Sequence, residues 1–360
     1  MTGRSQRILA DAEDVDAIII CNSREPFLDP NFWYVTGAMG GLFESGLAVL
    51  RNDEVCAIVS EMEAESARAG DAVVQVYGSA KERDEMIVAS LQDAGRIGLN
   101  YDSITLHSAE HLKSLLNGAD FKDAGPSLKR CRSIKDPGEI ENIRRAAGIA
   151  SKVAAELPSI IYRGMTEQQA AARIDSLLRE RGSEGEPFAT IVAFGDNAAH
   201  PHHRPGPRVL SDGMAVLCDF GATHGRYCSD LSRTLFCGTP DDSFVNAYRA
   251  VAEAQEAGVR AMAAGVKACE PDKSARDIIT AAGFKGRFIH SFGHEIGLSV
   301  HEGGVMSQRS HHLLLENMVM SAEPGIYIPG SFGIRVEDTV HIKADGAERL
   351  TEFERSLTVI

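Results

Sequence analysis

Asp219-Phe220-Gly221-Ala222-Thr223-His224-Gly225-Arg226-Tyr227-Cys228-Ser229-Asp230 consists of two β-prone runs joined by a His-Gly dipeptide. Glycine at the second turn position is what a tight two-residue hairpin favours. With His224-Gly225 as the turn, Asp219 and Asp230 fall directly opposite one another, their Cβ atoms roughly 4.5–5.5 Å apart. Like charges so placed destabilise a hairpin unless a cation lies between them or one is protonated. The alternative is a solvated hairpin end carrying two unrelated aspartates.

A second segment repeats the arrangement. In Ser321-Ala322-Glu323-Pro324-Gly325-Ile326-Tyr327-Ile328, followed by Pro329-Gly330-Ser331 and Phe332-Gly333-Ile334-Arg335-Val336-Glu337-Asp338, a turn centred on Gly330 sets Glu323 opposite Glu337. Pro324 cannot donate to a ladder and bends or edges the strand. Exposed glutamates on a surface hairpin are the alternative, but Val319, Met320, Ile334, Val336 and Val340 surround them, and an unpartnered carboxylate there is costly. Between the hairpins lies His290-Ser291-Phe292-Gly293-His294-Glu295-Ile296-Gly297-Leu298-Ser299-Val300-His301-Glu302, a glycine-interleaved run that makes a poor helix and a good site loop. Four carboxylates and one imidazole carry the charge that two divalent cations neutralise. Such oxygen-rich ligation suits Mn or Co better than a thiolate-type zinc site. The reaction class is metal-assisted hydrolysis.

Around these hairpins the signals are mixed. Asp136-Pro137-Gly138-Glu139 and Thr166-Glu167-Gln168-Gln169 are capping boxes opening helices, the second running to about Arg181. Further helices are expected over Asp241–Ala264 and Ser274–Ala282, with strands over Thr190–Phe194, Ala215–Gly221, Tyr227–Phe236, Val319–Glu323 and Ile334–Ile342. Helices and antiparallel hairpins in one domain make residues 133–360 α+β. Residues 1–132 read as a separate α/β domain, with strands Ala17–Cys21, Gly46–Arg51, Val55–Val59, Ala72–Tyr77 and Arg96–Leu99 around helices Lys81–Asp93 and Ala109–Leu116.

The 360 residues carry 37 Lys+Arg against 51 Asp+Glu, a net charge of −14, which disfavours nucleic acid and anionic membranes as partners. No apolar run approaches the ~20 residues of a membrane span, and the start lacks a signal h-region. Seven cysteines with no C-x-x-C pair read as reduced thiols in a cytoplasmic protein. Cys218, Cys228 and Cys237 cluster, but at spacings that fit no usual zinc pattern.

The ordered set Asp219, Asp230, His294, Glu323 and Glu337 resembles the metal ligands of the pita-bread metallopeptidases, which include Xaa-Pro aminopeptidase, Xaa-Pro dipeptidase (prolidase), methionine aminopeptidase and the creatinase relatives. Asn31-Phe32-Trp33-Tyr34-Val35-Thr36-Gly37 is similar to the opening of the creatinase-type N-terminal domain. The resemblance implies two divalent metal ions, Mn foremost with Co or Zn as alternatives. It implies an exopeptidase that hydrolyses the first bond of short peptides with proline second, by a metal-bridging hydroxide, in a homodimer. It matches His202 to the histidine near the scissile nitrogen and His301 to the one that hydrogen-bonds the scissile carbonyl. Glu323 doubles as the proton carrier, while His290 and Arg335 match substrate-pocket positions.

His200, His203, His224, His311 and His312 are left as solvated loop residues. The chain departs from the family at Glu295 and Asn317, where glycines are common. At Gly303-Gly304-Val305, prolidase-type members carry Pro and then an arginine that holds a dipeptide's carboxylate, so Val305 leaves aminopeptidase and dipeptidase both open. Two other functions fit the same scaffold. One is a creatinase-like or other small-molecule C–N hydrolase or lyase. The other is a non-catalytic binding module, which would be expected to have lost ligands.

Overall fold

A computed structural model describes residues 2–52 and 54–360. The chain divides into two compact units, Met1–Arg132 and Ser133–Ile360. In the first, β1 (Ala17–Cys21), β2 (Leu47–Arg51), β3 (Glu54–Ser60), β4 (Val73–Tyr77), β5 (Arg96–Leu99) and β6 (Asp120–Asp123) form one sheet in the order β4-β3-β2-β1-β5-β6. Only β2 runs antiparallel to its neighbours. The parallel pairs need crossovers, supplied by helices Ala64–Arg68, Ala80–Ser90 and Leu106–Leu115. β1 is buried along Ala17-Ile18-Ile19-Ile20 because it lies inside the sheet. β6, Asp-Phe-Lys-Asp, has no strand-like pattern; it forms by pairing on β5, and its charges suit an edge.

A helix over Pro30–Thr36 holds the Asn31–Gly37 stretch. Asp29 caps it, Pro30 opens it and Gly37 closes it in the left-handed conformation.

The second unit opens with helices Pro137–Ile160 and Glu167–Glu180, each started by the capping box its sequence announces. Helices Asp242–Arg260 and Cys269–Ala281 follow. The last begins at Cys269 rather than Ser274, since Pro271 sits in the first turn, where a missing N–H costs little.

The strands are β7 (Ile191–Phe194), β8 (Met214–Phe220), β9 (Thr223–His224), β10 (Tyr227–Cys228), β11 (Leu231–Cys237), β12 (Gly293–His294), β13 (Val305–Met306), β14 (Val319–Ala322), β15 (Gly325–Ile328), β16 (Phe332–Arg335), β17 (Asp338–Lys343), β18 (Gly346–Arg349) and β19 (Thr358–Val359). They pair as β19-β11-β8-β7, β10-β9, β12-β13, β14-β17-β18 and β15-β16.

Alternate residues of β8 enter two cores. Val216, Cys218 and Phe220 pack with the first two helices of this unit. Ala215 and Leu217 pack with helix Asp242–Arg260 and with Ile326, Ile334 and Val336 of the second hairpin. Strand alternation therefore turns Asp219 toward the second hairpin. No described helix is long and apolar enough to cross a membrane.

The first hairpin corrects the expected register. Its turn is Gly225-Arg226, with φ of 53° and 65°, and His224 pairs with Tyr227. Both turn N–H groups donate to the Glu184 carboxylate, a tertiary contact that the local sequence does not reveal. Asp219 consequently faces Ser232 rather than Asp230. The slip is by an even number of residues, so both aspartates keep the same face as diagonal neighbours.

The second hairpin has the register set by Gly330: Gly325 pairs with Arg335 and Ala322 with Asp338. Pro324 interrupts the ladder, and Glu323 and Glu337 lie in the gap.

Candidate metal centre and catalytic cavity

Cross-links between the hairpins gather the acidic side chains. The Glu337 N–H donates to the Ser232 carbonyl (3.1 Å) and the Glu323 N–H to the Phe292 carbonyl (2.8 Å). The His294 N–H donates to Ser321 Oγ (3.0 Å). Asp230 is held at both its backbone polar groups by Thr339 Oγ1, which accepts from its N–H (2.9 Å) and donates to its carbonyl (2.8 Å). These bonds explain why the runs expected as continuous strands over Tyr227–Phe236 and Ile334–Ile342 are each broken, at Asp230 and at Glu337.

Asp219, Asp230, His294, Glu323 and Glu337 all line one cavity of about 770 Å³, together with His202, His290, His301 and Arg335. The cavity sits within the range typical of small-ligand sites.

Crowding and burial set the charge states. Burial pushes Asp230 up to about 7 and Glu337 well above the usual carboxylate range, with neighbouring carboxylates adding to both. Burial also acts to raise Glu323, but His294, with Nε2 3.3 Å from Oε1, outweighs it and brings Glu323 down to about 2. His294 itself is lifted well above the ordinary imidazole value because Asp230 and Glu323 overcome its burial.

Asp219 Oδ1, Asp230 Oδ1 and Glu337 Oε1 are buried without a hydrogen-bond partner. Orphaned buried oxygens are expensive, and three on one cavity describe a place for cations. Asp230, His294 and Glu337 offer ligand atoms within 4.8 Å of one another. The donor set, oxygen-rich with one imidazole, fits hard divalent metals.

Arg335 braces this centre. Its Nη2 donates to Asp219 Oδ2, its Nε to Ser232 Oγ (2.8 Å) and its Nη1 to the Tyr327 hydroxyl (2.9 Å). Ser232 Oγ in turn donates to Glu337 Oε2. His290 Nε2 shares a hydrogen bond with the Tyr327 hydroxyl at 2.8 Å, and Ser321 Oγ donates to Glu323 Oε1 at 3.2 Å. Ser232, Tyr327 and Ser321 are absent from the sequence-level candidates. Ser232 is the residue opposite Asp219 once the turn is placed correctly, so register alone could have found it.

His301 is exposed, with its ring centre 4.2 Å from that of His294. Partial desolvation and then the His294 charge lower its pKa, which favours the neutral ring. Its loop is anchored from below: Glu302 accepts from the Leu298 N–H (2.7 Å) and pairs with Lys135 at 3.2 Å, both side chains almost wholly buried. Glu295 accepts from Ser133 Oγ at 2.6 Å. His203, expected as a solvated loop residue, instead bonds the fully buried Glu167 carboxylate at 2.8 Å.

Carboxylates and an imidazole on crossed hairpins, opening on a cavity with a neutral histidine, define a metal-dependent hydrolase. Residues 141–344 match the model for metallopeptidase family M24, and residues 4–134 match the creatinase/prolidase N-terminal domain. The chain belongs to metallopeptidase family M24. It is 36% identical to an Xaa-Pro dipeptidase of Pyrococcus furiosus, across 91% of this chain and 92% of that one. Among solved structures it resembles an X-Pro aminopeptidase of Thermotoga maritima (TM-score 0.91, 33% identity, 99% of this chain and 100% of that one). It resembles a prolidase of Pyrococcus horikoshii equally well (TM-score 0.90, 33% identity, 99% of both). The pita-bread architecture and the metallopeptidase activity expected from the ligand pattern are those of these relatives.

Proposed function

We propose that the chain is a metallo-exopeptidase that releases the first residue of short peptides with proline in second position, acting as a cytoplasmic homodimer. The observation that carries the reading is the convergence of five ligand-type side chains and His202, His290 and His301 on one cavity. The Xaa-Pro specificity named for the similar proteins supports the proline preference. Seven free thiols are in keeping with a reducing compartment.

Asp219, Asp230, His294, Glu323 and Glu337 would hold two divalent metals, with Mn foremost and Co or Zn as alternatives. Bound there, the metals supply Lewis acidity and water activation at neutral pH. The remaining work falls to the chain's own groups. Glu323, a carboxylate kept ionised beside His294, takes the proton of the attacking water and delivers it toward the leaving nitrogen. Neutral His301 donates a hydrogen bond to the scissile carbonyl, a bond that strengthens as negative charge develops. His202, on the same cavity, supports the leaving nitrogen. Arg335 holds Asp219 directly and Glu337 through Ser232, so the ligands do not have to be ordered at the moment of reaction.

Hydrolysis of Ala-Pro, Ala-Pro-Ala and Ala-Ala-Ala by the Mn-loaded protein tests the proposal. Cleavage of either proline peptide, with Ala-Ala-Ala slower, is the expected result. Equal rates on all three would remove the proline preference. No cleavage of any would favour a C–N hydrolase of other small molecules.

A further inference from the structure

We infer that Arg204 is the recognition site for the substrate's C-terminal carboxylate, so that this chain acts on dipeptides in preference to longer peptides. The inference rests on the peptidase reading above and names the substrate end that the cavity selects. Among the described residues, the guanidinium groups lining the cavity are those of Arg204 and Arg335, and no lysine lines it. Arg335 is committed, through all three of its nitrogens, to Asp219, Ser232 and Tyr327. Arg204 is exposed and, among the described residues, makes no hydrogen bond and no ion pair. A free peptide carboxylate entering a cavity walled by four acidic side chains, in a protein of net charge −14, needs a positive partner. Arg204 is the cation available to it, and a guanidinium matches a carboxylate fork to fork.

The root of Arg204 is fixed although its head is free. Glu167 Oε1 accepts from the Phe194 N–H (2.8 Å) and Asn197 Nδ2 (2.9 Å), while Oε2 bonds His203 Nε2 (2.8 Å) and the Gly206 N–H (2.9 Å). The backbone is thereby pinned on both sides of residue 204, and Pro205 restricts it further. Arg204 lies two residues beyond His202, hence no more than about 7 Å from it between Cα atoms. In a dipeptide the carboxylate lies one residue beyond the scissile nitrogen, within reach of a long side chain so rooted. Val305, on the same cavity, offers no charge, and Arg309 does not line it.

Steady-state kinetics with Ala-Pro and its C-terminal amide, Ala-Pro-NH2, test the assignment on the Mn-loaded protein. The wild type is expected to show a KM about tenfold lower for the acid, with similar kcat for the two. Arg204→Met should bring the KM ratio to about one, and Arg204→Lys should restore part of it. A wild type indifferent to amidation, or a ratio that survives Arg204→Met, overturns the inference. If neither peptide is cleaved, the peptidase reading itself fails, and calorimetric binding of L-proline and L-prolinamide decides the carboxylate site. Proline binding about tenfold tighter in the wild type and not in Arg204→Met supports the inference; no preference in the wild type refutes it.

Discussion

Ser232 shows what residue-level reading can and cannot reach. Asp219, Asp230, His294, Glu323 and Glu337 stand out because buried charge demands a reason, and a sequence displays charge directly. Ser232, Ser321 and Tyr327 are uncharged side chains that hydrogen-bond the charged groups of the centre, and their composition alone does not mark them; Ser232 emerges only once the hairpin register is right. The two departures from the family's glycines also become intelligible. Asn317 has φ of +69°, a conformation asparagine tolerates better than most residues, and its side chain bonds His341 Nε2 at 3.0 Å. Glu295 has its own partner in Ser133. At this scale the roles of Glu323 and His202 are open to direct test. Glu323→Ala should abolish turnover of Ala-Pro, and His202→Ala should lower kcat by about 10²–10⁴-fold. Circular dichroism should show the fold retained in both; undiminished kcat in either variant would strike that residue from the mechanism.

Elements were legible where their signals are local. The capping boxes at Asp136 and Thr166 start helices as their sequences announce, and the Gly330 turn sets the right register. The turn falls at Gly225-Arg226 rather than at His224-Gly225 because Glu184, far away in the chain, selects between adjacent dipeptides. β6 is invisible to propensity because pairing alone creates it. Close contact between elements bears on the centre at Gly293, where an added Cβ would strike the Ser321 carbonyl, next to the hydroxyl that holds His294. Gly293→Ala should therefore weaken Mn binding at least tenfold, read by metal titration, together with a lower Tm. Gly148, inside helix Pro137–Ile160 with open space where a Cβ would stand, provides the contrast. Gly148→Ala should stabilise the protein by about 0.5–1 kcal/mol. A Gly293→Ala protein with wild-type metal affinity would show that β12 and β14 can separate without cost to the centre.

For the whole molecule, the carboxylate cluster couples stability to pH and to metal. In metal-free protein, Asp230 titrates near 7 against 3.8 for an ordinary aspartate, and Glu337 well above 4.5. The folded state then binds protons that the unfolded chain gives up, so stability falls as pH rises from about 4 to about 7. The raised His294 acts in the same sense, its contribution being lost as pH climbs through its elevated value. Glu323, depressed to about 2, works the other way and only below about 4.5. Chelated protein should consequently lose Tm between about pH 5 and pH 8, and Mn should restore most at the upper end, where its ligands are already deprotonated. Thermal melts with and without chelator would show it; a metal-free Tm that is flat or rising over this range would contradict the charge states given above.

The buried Lys135–Glu302 pair has a consequence for how the chain meets proteases. Gly303-Gly304, beside an exposed histidine, has the composition of a segment that is readily nicked. To enter a protease cleft the strand must peel away over several residues, and here peeling would strip Glu302 from both Lys135 and the Leu298 amide and leave an ammonium stranded in the interior. The segment is thus protected by what lies beneath it, despite a composition that would otherwise invite digestion.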